Sequence, residues 1–254
     1  MPRSSGRVPL LAALLLALAA ALAVALVPAG LALDRRIDEV LRSTAVEDLG
    51  RAPMILEDRN AARGEALSMH AVSVATVPGL ADALAEGRTD EAVARASETA
   101  AMYGEEPVLV APDGTQVAGP PVPGEALDAV RRGETPVRFV YDAGMPRSLA
   151  LAPLGAPGEW RGAAGTSSAM DEAMVTTLAA LARADVTLLG ADGALVASTL
   201  DSEGAERISL ALASASRRAA SDKVDELEMP GTDSGTWVAV APVADAGTVV
   251  FSRA

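Results

Sequence analysis

The 254-residue chain has no cysteine, a single histidine (His70), a single lysine (Lys223) and six aromatic side chains. Without cysteine it has no disulfide, thiolate nucleophile, cysteine-ligated zinc or lipidated cysteine. With His70 alone, no histidine-rich metal site can be assembled, so neither a metal nor a cofactor is expected. Cations are also outnumbered: 21 Lys and Arg stand against 34 Asp and Glu, a net charge of −13, which repels a phosphate backbone and argues against nucleic acid as a partner. The near-absence of lysine beside abundant arginine reads as base composition, with no chemical message. Enzyme signatures are missing too. There is no Gly-x-Ser-x-Gly elbow, no phosphate-binding Gly-Lys-Ser/Thr loop and no His-x-x-x-His pair. Asp233-Ser234-Gly235 matches the aspartic-protease triplet, but that mechanism needs a second carboxylate copy, and here the triplet reads as a hairpin connection after Met229-Pro230-Gly231.

What the chain does have is apolar length. Val8 to Leu33 is a run of 26 residues without a charge, preceded by Arg3 and Arg7. As a helix rising about 1.5 Å per residue it exceeds a hydrocarbon core of about 30 Å. It reads as an uncleaved anchor over residues 1–33. The competing reading is a cleaved signal peptide with Gly30-Leu31-Ala32 at the cleavage site, but the apolar stretch of such peptides is usually about 7–15 residues. Arg3 and Arg7 place the short amino end in the cytoplasm. The expectation is a single-pass inner-membrane protein with residues 34–254 outside.

Residues 34–78 read as a stalk helix, with Ile37, Val40, Leu41, Leu49, Leu56, Leu67 and Val74 at helical spacing, interrupted at Gly50 and Pro53 and stopped by Pro78-Gly79. A second helix is expected from Thr89, as N-cap, to Tyr103. Then comes a duplication. Val108–Ala118 is an apolar strand, an Asp113-Gly114 turn and a second strand, and Val186–Ala197 repeats it around Asp192-Gly193, 79 positions on. Leu149–Leu154 recurs as Val238–Val243, 89 positions on. A longer helix in the second copy supplies the difference.

Each copy thus reads as hairpin, helix and three strands. In the first copy the helix is expected near Gly124–Arg132 and the strands near Val137–Tyr141, Arg147–Leu154 and Glu159–Gly165. In the second copy the helix is expected near Gly204–Arg218 and the strands near Lys223–Met229, Gly235–Val243 and Gly247–Ser252. Between the copies, Ser168 and Asp171 read as a capping box, opening a helix whose apolar face is Met170, Met174, Leu178 and Leu181.

An anchor, a long exported helix and two successive modules of this order resemble the double Cache (PAS-like) sensor domains of bacterial transmembrane receptors. The resemblance covers residues 34–254 and is one of architecture. It implies an α+β fold: a transmembrane helix, a stalk over 34–78, a membrane-distal module over 79–167 and a membrane-proximal one over 168–254, each with a five-stranded antiparallel sheet. It further implies a small ligand in the distal module, between its sheet and the helix and loops after the hairpin, and a homodimer paired along the stalk. The amino-acid-binding subgroup carries a Tyr, Arg, Trp-Tyr signature that this chain lacks.

Binding sites set a few polar groups in an apolar wall. The first module offers Tyr103, Arg138, Phe139, Tyr141, Trp160 and Arg161 as candidates, arginines that could fork a carboxylate between flat rings, as of an organic acid. Asp113 and Asp192 read as turn formers and His70 as a solvated helix residue. The function expected is a non-catalytic, extracytoplasmic ligand-sensing input domain of a signal-transduction receptor. The alternative is an envelope interaction domain with no small ligand.

Overall fold

The computed structural model describes residues 10–156, 158–215, 225–228 and 235–253. The chain divides into two compact units, Met1–Glu47 and Asp48–Ala254, and both sheets lie in the second. Helix α1 runs from Leu10 to Ala75. The interruption expected at Gly50 and Pro53 does not occur, because the helix continues through both. Proline removes one helix hydrogen bond, but Leu49, Ala52 and Leu56 are buried in one apolar cluster with the second sheet and hold the helix across the gap. Leu67 and Val74 are buried as the periodicity requires, whereas Ile37 and Val40 are exposed. Among the described residues no helix is long and apolar enough to cross a membrane. Most side chains from 10 to 33 lie outside the described set, and with them the expected anchor.

Gly79, at φ 75°, turns the chain into α2 (Leu80–Ala85), which the sequence reading missed. Helix α3 (Thr89–Ala101) starts one residue earlier than expected, with Arg88 rather than Thr89 at the cap, and Tyr103 lies in the turn beyond its end. The first sheet then follows: β1 (Glu106–Val110), β2 (Gln116–Ala118), α4 (Gly124–Arg131), β3 (Val137–Asp142), β4 (Met145–Pro153) and β5 (Ala163–Ala169). Helix α5 (Glu172–Ala182) leads to β6 (Asp185–Gly190), β7 (Leu195–Ser198), α6 (Ser202–Ala215), β8 (Asp225–Glu228), β9 (Gly235–Val243) and β10 (Gly247–Arg253). The sheet orders are β2-β1-β5-β4-β3 and β7-β6-β10-β9-β8, the same antiparallel topology twice.

The duplication reaches into the hairpins. Ala111 N–H donates to Thr115 and Gly114 N–H to Ala111, and Gly190, Ala194 and Gly193 repeat both bonds. Asp113 and Asp192 do not themselves take positive backbone angles, as a two-residue turn would need. Each accepts a backbone N–H two residues on, from Thr115 and Ala194, while Gly114 and Gly193 carry φ of 90° and 79°. Three expectations near the module boundary fail. Strand β5 begins at Ala163, so Trp160 and Arg161 lie in the preceding loop. Ser168 is in β5, and Asp171 alone caps α5 by accepting from Met174 N–H. Met174 and Leu178 face the core with Val175 and Ala182, but Leu181 is 53% exposed because it falls on the outer side of the helix. The Asp233-Ser234 pair and Lys223 lie outside the described residues.

Alternation along the strands gives each sheet two packed faces. In β4, Ala150 and Ala152 meet Leu67 and Ala71 of α1, while Leu149 and Leu151 meet Val130 of α4. In the second sheet, Ala239 and Ala241 pack with Leu49, Leu56 and α5, while Val238 and Val250 pack with Ile208 and Leu212 of α6. Each fully buried Leu contributes about 1.5–3 kcal/mol. Helix α1 therefore serves as a shared layer beneath both sheets.

Candidate functional site

The six candidate residues do not converge. Arg138 forms an ion pair of 2.8 Å with Glu125 and donates to the Val137 carbonyl. Trp160 donates from Nε1 to the Pro112 carbonyl at 2.7 Å, beneath the Arg131 guanidinium 5.2 Å from its ring, and packs into the cluster between the first sheet and α4. That cluster, with Val108, Val130, Leu149 and Leu151, lies on the face where the resemblance put the ligand. Arg161 pairs with Asp82 at 2.7 Å, which raises its already high pKa. Tyr103 is on the opposite face, stacked on His70 with centroids 3.7 Å apart. His70 is thus no solvated helix residue: its Nδ1 also lies 3.0 Å from Glu105 Oε1.

Phe139 and Tyr141 instead reach the second module. Phe139 packs against the apolar cluster of Leu56, Ala239 and Ala241. It also lines a cavity of about 670 Å³ between α1, β3 and β9, together with Glu57, Asn60, Glu65 and Pro242. Asn60 Oδ1 there is buried without a hydrogen-bond partner. The Tyr141 hydroxyl donates to Asp192 Oδ1 at 2.8 Å, and its ring covers Gly190, where any Cβ would collide with it. Asp192 also borders a cavity of about 450 Å³ over the second sheet, walled by Leu189, Ser209 and Leu212.

Electrostatics distinguish the two turn aspartates. The backbone N–H of Thr115 holds Asp113 below the usual carboxylate range. Asp192 is lowered first by the N–H of Ala194 and then by the Tyr141 hydroxyl, and in return Asp192 raises the Tyr141 phenol. The second hairpin turn therefore makes a contact to the other sheet, through Tyr141.

Sequence reasoning missed Arg63 and Glu105, which line a further cavity on the other flank of α1. A signal existed for part of it: Arg59, Arg63 and His70 recur at four and seven residues and so share one helix face. No local pattern pointed to Glu105. Among the described residues no group of His, Cys, Asp or Glu could hold a metal ion.

No protein-family model matches the chain, and no curated protein matches it. Solved structures do. The sensory domain of the Campylobacter jejuni chemoreceptor Tlp3 aligns with a TM-score of 0.53 at 10% identity, over 87% of this chain and 96% of that one. The same domain with isoleucine bound gives 0.51 at 11% identity, over 87% and 95%. An extracellular domain assigned to the histidine kinase vpHK1S-Z8 gives 0.52 at 13% identity, over 84% and 96%. With its two sheets of one topology on a single long helix, this chain has the fold of the double Cache sensory domains.

Proposed function

We infer that the protein is the extracytoplasmic input domain of a membrane signal-transduction receptor, which binds a small molecule and relays a shift without catalysing a reaction. The observation that carries this reading is the pair of identically ordered sheets packed on one helix, a fold shared with sensory domains over most of the chain. Residues 8–33 are the membrane anchor, residues 34–254 stand outside the cytoplasm, and two copies pair along α1.

The junction between the modules is the element that responds. Phe139 packs a first-module strand into the second module's apolar cluster, and Tyr141 bonds that same strand to the second hairpin turn. A ligand in the cavity of about 670 Å³ would touch α1 and both sheets at once. Of the six candidate side chains, Phe139 and Tyr103 line cavities and are retained as ligand contacts. Arg138, Tyr141, Trp160 and Arg161 hold the first module and the junction in shape.

Thermal unfolding of the full chain in detergent, against organic acids, amino acids and sugars, tests this reading. A compound at a hundredfold excess over its Kd adds about 2.7 kcal/mol of stability. At least one class raising the midpoint is expected, and no rise across the panel would overturn the reading.

A further inference from the structure

A cavity of about 480 Å³ lies on the flank of α1 away from Phe139, walled by Arg59, Arg63, Tyr103, Glu105, Ser168 and Asp171. It is on the α1 side of the first sheet, because Ser168 of β5 meets Arg63 of α1, whereas α4 covers the other face. Two of its charged groups are only partly satisfied. The Glu105 side chain is 10% exposed. Its Oε1 faces His70 Nδ1 at 3.0 Å, but its Oε2 is buried without a partner. Arg63 donates from Nη2 to Ser168 Oγ and, at 3.4 Å, to the Ala169 carbonyl, while its Nε is buried without a partner. The Tyr103 ring, stacked on His70 with an interplanar angle of 8°, also lines the cavity. Asp171 is already engaged, capping α5 through Met174 N–H at 3.1 Å.

A charged atom shielded from water without a hydrogen bond is costly. Here two side chains of opposite charge, each with one atom short of a partner, line the same space, and a ligand carrying the complementary pair of charges meets both. We propose that this cavity is a second ligand site, taking a small zwitterion whose carboxylate pairs with Arg63, whose ammonium pairs with Glu105 and whose carbon chain lies along Tyr103. The proposal rests on the sensor reading above. Its walls come from α1, the turn after α3, β5 and the start of α5, so an occupant ties the first module to the helix that leads into the second.

The probes are glycine, β-alanine, 4-aminobutyrate and 5-aminovalerate, a series that varies the spacing between the two charges. Propionate and propylamine, each lacking one charge, are the controls. Thermal unfolding of the full chain in detergent is expected to show a higher midpoint with one length of the series and none with the controls. Glu105→Gln keeps the side-chain shape and a hydrogen bond to His70 but removes the charge. It should weaken binding at least about tenfold, as should Arg63→Lys, which loses the fork. Tyr103→Leu, at an exposed ring, gives a third reading should either charge variant destabilise the fold. The proposal is overturned if no member of the series raises the midpoint, if the controls match it, or if the response survives unchanged in the variants. Failure of this series while the organic-acid or sugar panel still raises the midpoint removes only this site. Silence in both removes the sensor reading with it.

Discussion

The Tyr141 hydroxyl donates to Asp192 Oδ1 at 2.8 Å, so an edge strand of the first sheet is bonded to the hairpin turn of the second. Among the described residues, the duplicated turn aspartate Asp113 accepts a hydrogen bond from Thr115 of its own loop. One copy of a repeated turn residue has been recruited to join the copies.

Replacing Tyr141 with Phe removes this bond and keeps the ring over Gly190. The expected result is a small drop in the unfolding midpoint and faster amide exchange at Asp192–Ala194, read by hydrogen-exchange mass spectrometry. Asp192→Ala should lower stability further, because Asp192 Oδ1 also accepts the Ala194 N–H. Unchanged exchange in Tyr141→Phe would mean that the bond does not hold the junction.

The junction should depend on pH at both ends. Asp192 has a lowered folded-state pKa, so its contribution is fully present above the ordinary carboxylate value and is lost as pH falls through the folded one. Tyr141 is raised, so its contribution is present below the ordinary phenol value and is lost as pH rises through the folded one. Midpoints measured across pH should fall on the acid side more steeply in the native chain than in Asp192→Asn. Parallel acid limbs would contradict the assignment.

Gly190→Ala forces a Cβ into the Tyr141 ring. Overpacking of this kind costs about 1–3 kcal/mol. Adding Tyr141→Ala should recover much of the loss, and a double-mutant cycle on unfolding free energies measures the coupling. Strictly additive effects would place the strain elsewhere.

Pro53 gives a prediction of opposite sign. It sits inside α1 and lacks the N–H that would bond back along the helix, so Pro53→Ala should stabilise by up to about 3 kcal/mol. Leu67→Ala, at a fully buried position of the same helix, should cost about 2–5 kcal/mol. A lower midpoint for Pro53→Ala would mean that the helix breaks there after all.

Much of the fold was legible because its signals are local. Asp113-Gly114 and Asp192-Gly193 mark the hairpins, and Leu149–Leu154 and Val238–Val243 mark a pair of central strands whose repeat exposes the duplication. Strand β5 was displaced because Ala163–Ala169 consists of small residues, and its burial comes from β1 and β4 on either side rather than from its own alternation. Helix α2 has six residues, too few for a periodicity to show. The continuity of α1 across Pro53 depends on packing against a sheet more than a hundred residues on, which no local rule contains.

The site was less legible for the same reason. Trp160 and Arg138 looked like pocket residues by composition, yet Pro112 and Glu125, distant in sequence, take up their polar groups. Arg63 and Glu105 were not singled out, because only the fold brings them to one cavity and buries one polar atom of each.

The central claim is that occupancy of one module is felt by the other. The most direct test is amide exchange on the full chain in detergent, with and without the compound that most raises its unfolding midpoint. The account predicts slowed exchange in β3 and β4 of the first sheet together with β6 and β9 of the second, and loss of the second-sheet protection in Tyr141→Phe. Protection confined to a single module, and indifferent to Tyr141, would contradict it.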